Sequence, residues 1–165
     1  MAKGKVLVLV SSGRDLPLKD GKIYAGAGYY LNELTVPVRA LMKEGYEITF
    51  ANPKGNTPHL DEFSATAQFF GGDEARLQDY RKFHDSLDGL KNPARISGVI
   101  ASGLDQYDAV FAPGGHGPMI DLLDDPDPAP CTDTFIAHPS RRQCSAMGRF
   151  LYFRRIRMQS RWSAH

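Results

Sequence analysis

The stretch that most limits what this chain can fold into is residues 107–119, YDAVFAPGGHGPM. Ala109, Val110, Phe111 and Ala112 follow one another without a polar break and stop at Pro113. An apolar run closed by Pro and Gly predicts a strand buried on both faces, as in a parallel sheet covered by helices. Gly114, Gly115 and Gly117 come next, and glycine admits positive φ and lets a backbone N–H approach a ligand closely. Ligands of open α/β sheets sit at such strand ends. The pattern allows two readings at this point: a strand delivering backbone donors to a site, or a Gly-rich turn with no chemistry.

Earlier segments supply the rest of an α/β layer. Residues 5–12 (KVLVLVSS) predict a continuous strand at the sheet centre. Residues 13–28 read as a polar, Gly-rich loop. A helix is expected over 30–44, with Leu31, Leu34, Val38, Leu41 and Met42 on one buried face and Gly45 just past its end. Residues 46–51 (YEITFA) give a second strand, and strand–helix–strand is a βαβ unit. After an irregular 57–72, a helix over 73–90 is predicted, N-capped by Asp73, before Asn92-Pro93 breaks it. A short element spans 96–101, and 119–123 can open a further helix.

The length of 165 residues favours one domain with a sizeable core. Hydrophobic content of 42% and charged content of 24% are ordinary for a globular protein. The net charge of +1 hides an asymmetry: residues 1–127 carry thirteen Lys and Arg against eighteen acids, whereas 128–165 carry seven Arg against one acid, Asp133. Both cysteines, Cys131 and Cys144, lie in that basic tail, without the spacing of a metal site or a disulfide scaffold. The run from Val6 to Val10 is too short for a signal core or a membrane span, so a cytoplasmic protein with no membrane partner is expected. Gly26-Ala27-Gly28 lacks the Lys-Ser/Thr of a phosphate loop, which argues against nucleotide binding. His59 and His84 read as surface or helix-face residues. Asp124, Asp125 and Asp127 read as a solvated helix end.

Taken together, KVLVLVSS, GYYLNELTVP at 28–37, ANPKG at 51–55 and FAPGGHGPMIDL at 111–122 resemble the DJ-1/PfpI (ThiJ) superfamily. Within that superfamily the motifs look like those of the Hsp31-like proteins with glutathione-independent glyoxalase (glyoxalase III, D-lactate dehydratase) activity. The resemblance covers residues 5–127. It implies a flavodoxin-like, class I glutamine amidotransferase-like α/β fold: a parallel sheet with helices on both faces. It further implies a cysteine nucleophile on a Cys-His-Gly-Pro elbow, one helix and one strand after the Pro-Gly-Gly strand. By motif the carboxylate maps to Glu33 and the oxyanion or substrate-binding positions to Gly114, Gly115 and His116. The chemistry is consistent, because a thiolate needs donors around it and an oxyanion needs fixed N–H groups. No metal or organic cofactor is implied. The implied substrate is a small aldehyde, with no nucleic-acid partner and a homodimer left open.

The sequence departs from that pattern at its centre, since Cys-His-Gly-Pro occurs nowhere. Cys131 follows the Pro-Gly-Gly strand too soon, and Cys144 is preceded by Arg141-Arg142-Gln143 where an apolar strand belongs. Neither cysteine is therefore assigned the nucleophile role. If one base is restored near Pro128, the codons of 128–150 become compatible with an amphipathic helix, a Lys-Pro break, an apolar strand and Cys-His-Gly-Pro. Two parts are expected on this basis: residues 1–127 as a partial family domain, and 128–165 as an aberrant, poorly ordered basic tail from a frameshift. The fold should then be incomplete on its C-terminal side, with an open apolar edge beside residues 107–112 and marginal stability. The functional expectation is a glyoxalase by descent, converting methylglyoxal to lactate in intact relatives and inactive here. The alternatives are a holdase-type stress chaperone or binding module, and a PfpI-like peptidase.

Overall fold

The structure, a computed structural model, describes residues 2–122, 141–146 and 149–154, the last two segments as backbone. Cys131 and the acidic cluster Asp124-Asp125-Asp127 lie outside the described residues, as does most of the expected tail.

Strand β1 (Gly4–Leu9) occupies the middle of a six-stranded sheet in the order β5-β4-β1-β6-β8-β7. Its partners are β4 (Tyr46–Asn52) on one side and β6 (Ala109–Phe111) on the other, both parallel. A short β5 (Ala94–Arg95) extends the parallel part beyond β4. Successive side chains of β1 enter opposite cores, as the two-residue strand period requires. Val6 and Val8 pack with Leu34 and Val38 of helix α1 (Leu31–Lys43) and with Phe50 and Phe111. Leu7 and Leu9 pack instead with Ile96 and Val99 of helix α4 (Ile96–Ala101) and with Val110. Both faces are covered by helices, so the apolar run has no polar-out positions and the fold is the flavodoxin-like α/β layer expected.

Several expectations need adjustment. The loop over 13–28 carries an antiparallel hairpin, β2 (Asp15–Pro17) with β3 (Ile23–Ala25). Helix α1 runs through Pro37, whose ring nitrogen has no proton to donate to the Glu33 carbonyl one turn back. The helix expected over 73–90 is two: α2 (Glu74–Asp85), capped by Asp73 through its bond from the Arg76 N–H at 3.0 Å, and α3 (Asp88–Lys91). Between them Ser86 turns its hydroxyl back to the Phe83 carbonyl (2.6 Å), and Leu87 leaves helical dihedrals. Helix α5 (Pro118–Asp121) follows the glycine corner.

The outer edge of β6 is not open. Strand β8 (Arg149–Arg154) pairs with it antiparallel, and β7 (Arg141–Ala146) pairs antiparallel with β8. Unpaired edge N–H and C=O groups accept any extended segment that reaches them, and here β8 takes that edge.

Candidate functional site

Three segments meet at the corner after β6, with residues 28–30 as the middle thread. The Tyr30 N–H donates to the Gly114 carbonyl (3.0 Å), and the Gly117 N–H donates to the Gly28 carbonyl (2.9 Å). On the other side the Tyr29 N–H donates to the His59 carbonyl (3.1 Å), and the Asp61 N–H donates to the Tyr29 carbonyl (3.0 Å). These backbones approach so closely that side chains are excluded. A Cβ on Gly28 would overlap the His59 carbonyl, and one on Gly115 would overlap the Gly28 carbonyl. Gly115 also has φ +124°, which an L side chain rarely adopts. Gly28 thus serves to dock two chain segments and Gly26 takes φ +80°, which accounts for both glycines without a phosphate.

Glu33 reaches this corner from the first turn of α1. That turn is fixed from outside: the Leu31 N–H donates to Ser64 Oγ (2.8 Å), whose hydroxyl donates to the Asp61 carbonyl (2.7 Å). Ser64 satisfies one of the helix N–H groups that have no partner within the helix. The half-buried Glu33 carboxylate then lies directly against Gly114, where a Cβ would collide with Oε2. The structure therefore brings Glu33, Gly114 and Gly115 together.

His116 belongs to the same corner, but its partner is a residue that the sequence does not advertise. Its Nδ1 lies 2.9 Å from Oδ2 of Asp61, whose side chain is 2% exposed. Asp61 Oδ1 accepts separately from the Phe63 N–H at 3.2 Å, capping the short 3-10 turn Glu62–Ser64. The imidazole sits between Tyr24 (ring centroids 4.9 Å apart) and Tyr30 (5.6 Å, edge-on). Tyr30 in turn meets Phe69 edge-on at 5.5 Å, so an aromatic shelf flanks the corner. Burial first, and then the negative charges of Asp61 and Glu33 among others, raise the Tyr30 phenol above its ordinary value. Burial and then Asp61 do the same for Tyr24. Both hydroxyls stay protonated as donors at neutral pH.

The other singled-out residues divide. His84 is not a plain surface residue: its Nε2 is 2.7 Å from the buried Tyr29 hydroxyl, and its Nδ1 is 2.9 Å from Asp85. Tyr29 is the nearest link between that pair and the corner, and burial pushes its phenol far up. His59 contributes its backbone carbonyl to the Tyr29 bond. Cys144 lies within β7 opposite Leu151 of β8, and β8 separates that strand from β6. No group of three His, Cys, Asp or Glu among the described residues is placed to hold a metal. No described helix is long and apolar enough to cross a membrane.

Asp61 and Ser64 lie in 57–72, which has no periodicity to read. The available signal was Asp61 three residues before Ser64, an N-cap pattern for a single turn.

Comparison with known proteins agrees with the fold. The sequence pattern described as ThiJ/PfpI family-like matches residues 24–148. The chain is 28% identical over 128 residues to the protein/nucleic acid deglycase HchA of Staphylococcus aureus, covering 76% of this chain and 41% of that protein. It is 29% identical over 129 residues to the HchA of Escherichia coli O157:H7, covering 77% and 43%. Among solved structures, glyoxalase III from Candida albicans superposes with a TM-score of 0.60 at 26% identity, covering 79% of this chain and 52% of that one. The chain thus spans about two-fifths of the length of these curated relatives. The HchA proteins are named for protein and nucleic acid alike, so these likenesses do not support the expectation that nucleic acid has no part.

Proposed function

The chain belongs to the ThiJ/PfpI family, and from that premise we propose that its Glu33–Gly114–Gly115 corner is the carbonyl-binding half of a glyoxalase-type site. The observation that carries this reading is the half-buried Glu33 carboxylate seated against Gly114 at the end of a central parallel strand. A carbonyl placed there would meet backbone N–H donors of the glycine corner, and Glu33 would be within reach of a proton on the adjoining carbon. The ligand class is a small reactive aldehyde or ketone, of which methylglyoxal is the simplest case. Full conversion to lactate would need a thiolate beside the corner, first adding to the aldehyde and later leaving as water hydrolyses the thioester. This chain supplies no Cys-His-Gly-Pro elbow for that step. The reading is therefore of a protein that binds such carbonyls without turning them over. It also holds that residues 128–165 are read out of frame, in a chain working in the cytoplasm. Sequencing the gene across the codons for 125–147 checks the frame.

Binding is tested with hydroxyacetone, which does not modify Arg or Lys as dicarbonyls do. Adding it to the isotope-labelled full chain should shift the Gly114 and Gly115 amide resonances, and Glu33→Ala should weaken the effect. Shifts confined to residues remote from the corner would overturn the assignment.

A further inference from the structure

We propose that Asp61 is a positioning residue that holds His116 with its proton on Nδ1, so that Nε2 is offered as a proton acceptor to a hydroxyl of the bound ligand. This rests on the carbonyl reading of the corner and narrows the ligand class. The preferred ligand carries an O–H beside its carbonyl, as a hydroxyketone or a hydrated dicarbonyl does.

Burial carries the argument. An ionised carboxylate that is almost wholly withdrawn from water must have its lone pairs met by donors, or it is strongly destabilising. Asp61 divides that requirement between its two oxygens. Oδ1 takes the Phe63 N–H and does the local capping, while Oδ2 takes His116 Nδ1. Its backbone is fixed as well: the N–H is bonded to Tyr29, and the carbonyl accepts from both the N–H and the hydroxyl of Ser64. The carboxylate thus cannot swing away, and a neutral imidazole facing it must carry its proton on Nδ1. The other nitrogen is then the acceptor. The Tyr24 and Tyr30 rings hold the imidazole plane, and 35% of the His116 side chain remains open to solvent. Capping alone would need only Oδ1. The second oxygen, aimed at a histidine next to Gly115, has no capping task.

Two oxygens with separate tasks make a clean test. In Asp61→Asn the amide oxygen keeps the Phe63 bond, and the NH2 group replaces Oδ2 opposite His116. Nδ1 must then accept, and the imidazole proton moves to Nε2, the tautomer inversion expected when a histidine's carboxylate partner becomes an amide. Long-range 1H–15N spectra of the full chain, at a pH where the imidazole is neutral and without ligand, read the tautomer directly. The wild type should show protonated Nδ1 and acceptor Nε2, and Asp61→Asn should show the reverse. A wild-type chain protonated on Nε2 overturns the proposal without any variant, and so does a folded Asp61→Asn chain with unchanged tautomer. Hydroxyacetone should then shift Nε2 in the wild type and lose that effect in Asp61→Asn. If neither Nε2 nor the Gly115 amide responds while the tautomers are as stated, the carbonyl reading fails and the positioning role of Asp61 stands.

Discussion

The two flanks of β1 are built differently. Toward β4 the pairing runs through six consecutive positions, from Gly4 opposite Tyr46 to Leu9 opposite Ala51, and α1 bridges the strands. Toward β6 it runs through three, Val6 to Val8 opposite Ala109 to Phe111, and the sheet continues from there as an antiparallel hairpin. Parallel strands need a crossover, so their order is written into the helix between them. An antiparallel hairpin needs only a turn and an unsatisfied edge. The β4 flank is thus specified by its own connection, whereas β8 joins β6 antiparallel, an arrangement that needs no crossover. The glycine corner grows from the short flank, and it is tied by backbone bonds to residues 28–30 and through them to 59–61.

That contrast can be broken most sharply at Phe111. It is fully buried among Val8, Leu34 and Val38, so Phe111→Ala should destabilise the chain by about 3–5 kcal/mol in denaturant unfolding. A loss near 1 kcal/mol would mean that the short flank is poorly packed. Hydrogen exchange sharpens the comparison: amides of β1 and β4 should outlast those of β8. Equal protection would show that the hairpin is as firmly integrated as the βαβ unit. At the corner, Gly115→Ala forces a side chain into the positive-φ region and against the Gly28 carbonyl, with an expected loss of at least about 1–3 kcal/mol from backbone strain.

The βαβ half was legible because its signals are local: uninterrupted β1, a one-faced α1 from which only the expected Met42 departs, being exposed, and Gly45 at φ +90° past the helix end. Glu33 and the glycine corner were legible only through a motif, since nothing in a periodicity places a first-turn carboxylate against a strand end. Asp61 was not legible, because its importance lies in two long-range partners, His116 and Tyr29, that no local pattern encodes. The hairpin at β7 and β8 was hidden too. Phe150-Leu151-Tyr152-Phe153 is too apolar for a solvated tail, but the Arg-rich stretch around it has no periodicity to place it, and its partner, the edge of β6, is distant in sequence.

Smaller effects probe what braces the corner. Ser64→Ala removes the cap on the Leu31 N–H and should cost about 1 kcal/mol in the same unfolding assay. A neutral result would detach α1 from the 59–64 segment as its support. Smallest is Arg39→Ala on the far side of α1, where the guanidinium pairs with Asp79 and lies 5.1 Å over the Tyr80 ring. Exposed pairs of this kind contribute little, because water and salt screen them, so the loss should be the smallest of the set. The arginine holds the Asp79 carboxyl below its usual range, chiefly by hydrogen bonding. That stabilisation is present above the ordinary Asp pKa and lost as pH falls through the lowered one. The difference between wild type and Arg39→Ala should therefore shrink in acid, and a difference that grew there would have the wrong sign.

The most direct test of the account is turnover itself. The purified protein is incubated with methylglyoxal, and lactate is measured against Glu33→Gln and against a Cys131→Ser/Cys144→Ser double variant. The account predicts no lactate above the buffer rate in any of the three. Lactate formation that vanishes in the cysteine variant would contradict it, because one of the two thiols would then be doing the chemistry that the account denies them.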